Sequence, residues 1–160
     1  MNMKKWMTCL LLFVVAVSAN AQFEKGKKYV GASLSGLSLS YSSGQKFRFG
    51  LDADAGYFIA NNVMLKGNLN YSHTKAVDEI SIGAGARYYF EQNGIFLGAG
   101  AEYCHFTPSN NDLRIPVEVG YAFFVNKNIT IEPALYYKMS LADFSDNSTV
   151  GLKIGFGFYF

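Results

Sequence analysis

The chain has 160 residues, of which 50% are hydrophobic and 16% are charged. This length suits one domain and excludes a wide porin, which needs about 16 or more strands. The formal charge of +2 falls to about zero without Lys4 and Lys5, which lie in a predicted signal peptide. A neutral mature chain lacks the basic surface that nucleic-acid binding requires, so we expect no nucleic-acid partner.

Residues 1–21 are predicted to form a secretory signal peptide. Lys4 and Lys5 precede an apolar run over residues 6–17, and Ala19 and Ala21 form a small-residue cleavage site. The run is shorter than the roughly 20 residues of a membrane-spanning helix. The mature domain is therefore predicted to cover residues 22–160. It retains Cys104 alone, which excludes a disulfide framework and predicts a small buried side chain.

Beyond Phe23 the sequence shows eight segments in which apolar residues occupy alternate positions, the pattern of β-strands. Their apolar series begin at Val30, Phe47, Val63, Ile80, Ile95, Leu113, Ile129 and Val150. A phase change near Gly36 predicts a bulge in the first strand. Tight turns are predicted at residues 61–62, 93–94 and 126–128, and somewhat longer loops separate the other strands.

The last segment alternates most strictly. One face carries Val150, Leu152, Ile154, Phe156, Phe158 and Phe160, and the other carries Gly151, Lys153, Gly155, Gly157 and Tyr159. Alternation alone fits a soluble barrel with its apolar face inside as well as a membrane barrel with that face outside. Glycines such as Gly85, Gly98 and Gly100 fill the other series, where a solvated surface would carry lysine and glutamate. This composition favours a transmembrane β-barrel.

Aromatic residues cluster just before the predicted tight turns and at the chain end. Such a ring is what a membrane-interface girdle requires. The predicted girdle residues are Tyr57, Tyr88, Phe90, Tyr121 and Phe123. We therefore predict an all-β fold, an eight-stranded antiparallel up-and-down transmembrane barrel.

The inward series carries charges of both signs. The predicted lumen ion-pair network comprises Arg48, Lys66, Arg87, Arg114, Lys138 and Lys153 with Asp52, Asp54, Glu102, Glu118 and Glu132. Six cations against five carboxylates are nearly balanced, and burying them unpaired would be costly. Because eight strands leave an interior just wide enough for side chains, we expect a plugged lumen and no open pore.

Signs of catalysis are few. His73 and His105 fall near the predicted outer loops, where lipid-modifying barrel enzymes place Ser/His/acid groups, but the sequence shows no nucleophile motif. Two distant histidines and one cysteine do not form a metal site, and no cofactor motif is present. We expect no enzyme activity, metal or cofactor.

From about residue 27 to 160 the chain resembles the small outer-membrane β-barrel superfamily that includes OmpX-like proteins and OmpA-type membrane domains. The signal peptide, the eight alternating segments and the terminal residues Phe156, Phe158 and Phe160 carry this resemblance. It implies insertion in a Gram-negative outer membrane, with those three phenylalanines read as the signal for the barrel-assembly machinery. Unlike OmpA-type proteins, the sequence shows no periplasmic peptidoglycan-binding domain after the last strand.

These features predict a non-enzymatic, monomeric barrel with a charged, plugged lumen that serves envelope integrity or surface interaction. Outer-membrane lipid, lipopolysaccharide and the barrel-assembly machinery are the expected partners. The predicted outer loops are short, which makes an adhesin with protruding strands a weaker interpretation. Two alternatives remain open: a narrow porin-like channel for small solutes and a lipid-modifying outer-membrane enzyme.

Overall fold

The computed structural model describes residues 23–37, 49–73, 78–91, 93–107, 110–142 and 148–160. Its strands are β1 (Lys28–Leu37), β2 (Phe49–Ala60), β3 (Val63–His73), β4 (Asp78–Tyr89), β5 (Ile95–Phe106), β6 (Asn110–Tyr121), β7 (Phe123–Phe124), β8 (Ile129–Ser140) and β9 (Thr149–Tyr159). Within the described ranges, no helix is long and apolar enough to span a membrane. The predicted signal peptide, residues 1–21, lies outside these ranges.

The strands close into one antiparallel barrel. Each pairs with its neighbour along the chain from β1 to β6, β1 also pairs with β9, and β6 pairs with β8 to complete the ring. The two-residue β7 continues β6 beside β8, so the barrel has eight strand positions. The predicted eight-stranded up-and-down architecture is confirmed.

A proline explains why β6 and β7 are separate. Gly120 pairs with Ala134 before the break and Phe123 pairs with Ile131 after it, so the register does not change. The interruption falls opposite Pro133, which has no N–H to donate. Proline in a sheet is usually found on an edge strand, and a closed barrel has none. The pairing with β8 is therefore interrupted locally at this proline.

Both described chain ends lie at the end of the barrel that carries the tight turns, here called the terminal end. Asn62 and Gly94 adopt left-handed φ values of 66° and 70° in two of these turns, in agreement with the predicted turn positions. At the opposite end of β1, the pairing with β9 shifts register between Ser35 and Leu37. This shift confirms the bulge predicted near Gly36.

The apolar series faces outward. Leu69 and Ile82 are 54% and 62% exposed, whereas Asp52 and Glu102, in the alternate series, are 8% and 1% exposed. A water-soluble barrel would show the reverse arrangement. The inverted distribution is typical of a barrel surrounded by lipid, with polar groups in its lumen.

Glycines line part of the narrow lumen of this eight-stranded barrel. A Cβ atom at Gly85 would lie 2.5 Å from the carbonyl oxygen of Ala99, and one at Gly100 would lie 2.5 Å from that of Ala84. Larger residues would push these backbones apart. The close approach leaves the limited interior volume to the long charged side chains of neighbouring positions.

Candidate functional site: a filled lumen

The lumen gathers the charged residues that the sequence pattern assigned to the inner face. Arg48 lies outside the described residues, and the other ten all lie in the interior with low exposure. We call this set, with the two carboxylates added below, the lumen network. Its members come from seven strands, because each strand turns alternate side chains inward.

Glu118 is the centre of the network. Its Oε1 accepts hydrogen bonds from Lys66 Nζ at 2.9 Å and from Arg87 Nε and Nη2 at 3.0 and 2.9 Å. Its Oε2 forms an ion pair with Lys153. Lys66 also lies 3.5 Å from Asp54 Oδ1. Three cations thus surround one carboxylate at mid-barrel, which compensates the cost of its burial.

Towards the terminal end, Arg87 also donates from Nη1 to Glu132 Oε2 at 2.8 Å. Glu132 further accepts from the hydroxyls of Tyr29 at 3.0 Å, Tyr159 at 2.7 Å and Thr130 at 2.8 Å. The Glu132 carboxylate therefore has a full set of donors. Charge-assisted bonds of this kind are the stronger ones in proteins and fix the side chains that make them.

Towards the other end, Glu102 Oε1 accepts from Lys138 Nζ at 2.9 Å and Ser81 Oγ at 2.6 Å. Asp52 accepts from Asn70 Nδ2 at 2.5 Å and Ser35 Oγ at 3.0 Å. These bonds join the charged groups to the neutral polar residues of the lumen. Groups of bonded polar side chains therefore occupy most of the barrel's height.

Two lumen carboxylates were missed by the sequence reasoning. Arg114 donates from Nη1 to Glu79 Oε1 at 2.9 Å and from Nε to Asp112 Oδ2 at 3.1 Å, and both acids are buried. Each directly precedes the first apolar residue of its segment, at Ile80 and Leu113, and the predicted inward series did not extend to it. The strands in fact begin earlier, at Asp78 and Asn110.

These additions correct the predicted charge balance. Among the described residues the lumen holds five cations and seven carboxylates. The cations are Lys66, Arg87, Arg114, Lys138 and Lys153, and the carboxylates are Asp52, Asp54, Glu79, Glu102, Asp112, Glu118 and Glu132. The described lumen therefore carries two more carboxylates than cations, in a count that leaves out the predicted cation Arg48, which lies outside the described residues.

Cys104 is fully buried, as predicted, with its Sγ 3.6 Å from Glu102 Oε1. Together with Glu79 and Glu102 it places three potential ligand atoms within 4.8 Å of one another. Arg114 and Lys138 already neutralise those two carboxylates at 2.9 Å each. These three residues are therefore explained by the ion pairs of the lumen network without a metal ion.

A cavity with about 50 Å³ of water-accessible space lies at mid-barrel between Asp54, Asn68, Lys66 and Tyr136. Since one water needs about 10–15 Å³ measured this way, the space suits a few waters. It is surrounded by the side chains of the network. The lumen therefore combines ion pairs with a small cavity that could hold water.

Aromatic residues fill the terminal end of the lumen, a feature that the sequence reasoning missed. The predicted girdle residues do face outward: Tyr57, Tyr88, Phe90, Tyr121 and Phe123 are exposed or half-buried. Their chain neighbours Phe58, Tyr89 and Phe124, however, turn inward. With further residues they form the mouth cluster: Phe23, Tyr29, Phe58, Met64, Tyr89, Phe96, Ala122, Phe124, Ala134 and Tyr159.

The predicted assembly residues lie on the outer face of β9 and at its end. Phe156, Phe158 and Phe160 are each about half exposed. The backbone of Phe160 is held by Lys28, through bonds of 2.8 Å and 3.0 Å that continue the β1–β9 ladder. The three rings are thus available to another molecule while the terminal backbone is fixed.

The two histidines lie at the outer ends of their strands, and no nucleophile of the described residues contacts either of them. His73 Nδ1 is 2.5 Å from Asp78 Oδ1, and His105 Nδ1 is 2.7 Å from Asn111 Oδ1. Both contacts link neighbouring strands of a hairpin. Among the described residues they act as cross-strand pairs on the exposed surface.

Comparison with known families now identifies the class of protein. The family model described as "Outer membrane protein beta-barrel domain" matches residues 7–160. The chain therefore belongs to the outer-membrane β-barrel family. Its described architecture, apolar outside and charged inside, is the one this family requires, and it places the protein in a bacterial outer membrane.

Solved structures show the same fold at low sequence identity. The N-terminal barrel domain of Pseudomonas aeruginosa OprF matches with a TM-score of 0.68 and 16% identity, over 85% of this chain and 98% of that one. Neisserial surface protein A gives 0.63 and 20%, over 84% and 96%. Yersinia pestis Ail in a nanodisc gives 0.57 and 14%, over 85% and 100%. The comparison with curated proteins finds no match.

Proposed function

We propose that this protein is a non-enzymatic, monomeric outer-membrane barrel whose lumen is closed, and that it serves envelope integrity or surface interaction. The observation that carries the proposal is the filling of the lumen. Glu118 and Glu132 bind cations and hydroxyls from across the barrel, and Arg87 joins the two carboxylates. A conducting pore would require these side chains to leave the centre of the lumen.

The geometry also supports a scaffold role over catalysis. An enzyme of the lipid-modifying kind would need a nucleophile, a base and an acid within hydrogen-bond reach. Within the described residues, His73 and His105 contact a carboxylate and an amide instead. Outer-membrane lipid and lipopolysaccharide are the natural surroundings of the outward apolar face, and we propose both as partners.

In this proposal the barrel-assembly machinery recognises Phe156, Phe158 and Phe160. Their rings face outward beside a fixed backbone, which suits recognition by a partner strand. One relative by fold, Ail of Yersinia pestis, is known in complex with the heparin analogue sucrose octasulfate. That ligand is a fair first probe for a surface interaction of this protein.

Liposome swelling tests the closed lumen. Liposomes that contain the purified barrel are diluted into isotonic solutions of glycine, arabinose or glucose, with a general porin as the positive control. We expect swelling no faster than in protein-free liposomes. Rapid swelling with the smallest solute would reject the closed barrel and establish the narrow-channel alternative.

A further inference from the structure

The amino-terminal residues before β1 fold back across the terminal end of the barrel. Gly26 adopts φ of +94° and reverses the chain, a conformation that other residues rarely adopt. The N–H of Gly26 donates to the carbonyl of Phe58 at 2.8 Å, and the N–H of Asn62 donates to that of Phe23 at 2.7 Å. Residues 23–27, here called the strap, are therefore fixed to the β2–β3 hairpin.

The strap places one aromatic ring inside the barrel mouth. Phe23 is 5% exposed and stacks on Tyr89, with ring centroids 4.1 Å apart. Its ring also lies 5.5 Å from Phe124, 5.9 Å from Tyr159 and 6.1 Å from Phe58. Rings from β2, β4, β7 and β9 thus surround it. Phe23 completes a layer of side chains across the lumen.

This layer lies beyond the lumen network and differs from it chemically. The guanidinium of Arg87 packs 4.0 Å from the ring centroid of Phe96, at the boundary between the charged and the aromatic layers. On the far side of the boundary, Met64, Phe58 and Phe96 are fully buried. Because the mouth cluster contains no charged side chain, it excludes hydrated ions by a different physical principle from ion pairing.

We propose that the mouth cluster is an intramolecular docking site for the strap, and that Phe23 seals the lumen from the periplasm independently of the lumen network. The terminal end is the periplasmic one because tight turns lie on that side in this family. The barrel then has two barriers in series. This inference rests on the proposed closed-barrel function and extends it by naming a second, separable seal.

Thiol labelling in nanodiscs, where both mouths meet the solution, separates the two barriers. Thr130 is fully buried, pairs with Phe124 and bonds Glu132, so it lies where the seal meets the lumen network. A protein with Thr130→Cys and Cys104→Ser carries one reporter on the periplasmic side. The probe is a small cationic methanethiosulfonate, and the readout is the labelling rate by mass spectrometry.

We expect Phe23→Ala to raise the labelling rate of this reporter about tenfold or more. Gly26→Pro should do the same, because proline cannot adopt the left-handed φ of Gly26 or donate to Phe58, although the ring of Phe23 remains. Phe23→Leu should keep the reporter protected. Val125→Ala, which trims an exposed apolar side chain at the same end, is the control and should leave the rate unchanged.

The native Cys104, retained in a separate protein with Thr130 intact, reports on the lumen network. It should stay protected in the presence of Phe23→Ala, because the ion pairs still separate it from the periplasmic mouth. Faster labelling of Cys104 on Phe23→Ala would reject the lumen network as a barrier of its own. An unchanged rate at the Thr130→Cys reporter in both Phe23→Ala and Gly26→Pro would overturn the seal alone.

Discussion

Arg87 and Glu118 are joined across the lumen by two hydrogen bonds, at 3.0 Å from Nε and 2.9 Å from Nη2 to the same carboxylate oxygen. The third guanidinium nitrogen, Nη1, reaches Glu132 at 2.8 Å. Arg87 is 2% exposed. One side chain from β4 therefore contacts both β6 and β8, a fixed geometry that arginine provides and lysine does not.

Arg87→Gln should lower the free energy of unfolding by about 3–5 kcal/mol, because it leaves the buried Glu132 without its cation. Urea unfolding of the barrel in lipid vesicles measures the change. Lys127→Gln, in an exposed turn at the same end, is the control and should stay within about 0.5 kcal/mol of the unaltered protein. Equal stability of the two variants would show that the network contributes little.

Tyr159→Phe should cost about 1.5–3 kcal/mol, because it removes a hydroxyl that donates to the charged Glu132 at 2.7 Å and leaves the ring in place. The same unfolding assay applies. Tyr103→Phe removes a hydroxyl from the outer face, where the side chain is 48% exposed, and should change stability little. A harmless Tyr159→Phe would mean that Glu132 is satisfied without it.

Gly85→Ala should destabilise the barrel by about 1–3 kcal/mol, because the added methyl group would overlap the backbone of the neighbouring strand. Gly67→Ala is a matched control on the adjacent strand, since its Cβ would have 3.8 Å to the nearest atom. Refolding yield and unfolding midpoint report the difference. Similar behaviour of the two variants would contradict the close approach of β4 and β5.

Phe160→Ala should reduce the amount of folded protein in the outer membrane of cells several-fold and leave the stability of the purified barrel nearly unchanged. The substitution keeps both backbone bonds to Lys28 and removes only an outward-facing ring. Heat-modifiable mobility on gels measures folded protein in membranes. Val125→Ala, another exposed apolar residue of that end, is the control, and an equal loss in both variants would refute a specific signal.

The alternation of residues was sufficient to predict the strands and their two faces, and the glycines of the non-apolar series indicated which face lies in the lumen. Ten of the eleven predicted lumen charges lie among the described residues, and all of these face inward. Glu79 and Asp112 were not predicted as lumen residues, because their strands extend beyond the apolar band. Only the structure shows where such a strand begins, since polar residues at its outer end resemble a loop.

The mouth cluster could not be recognised from composition alone. Aromatic neighbours such as Tyr57 and Phe58, or Tyr88 and Tyr89, point to opposite faces of the sheet. One residue of each pair therefore lies in the lumen. The alternation of odd and even positions along each strand would have distinguished the inward-facing from the outward-facing ring. The position of Phe23 had no such signal, because it precedes β1 and reaches the mouth through a chain reversal at Gly26.

The most direct test of the closed lumen is the conductance of the purified barrel in a planar lipid bilayer. The ion pairs and the aromatic seal predict no stable conductance steps for the unaltered protein. A triple variant with Arg87→Gln, Glu118→Gln and Phe23→Ala, which opens both barriers, should show a leak. Steady, ion-dependent steps in the unaltered protein would contradict the closed barrel and identify the protein as a channel.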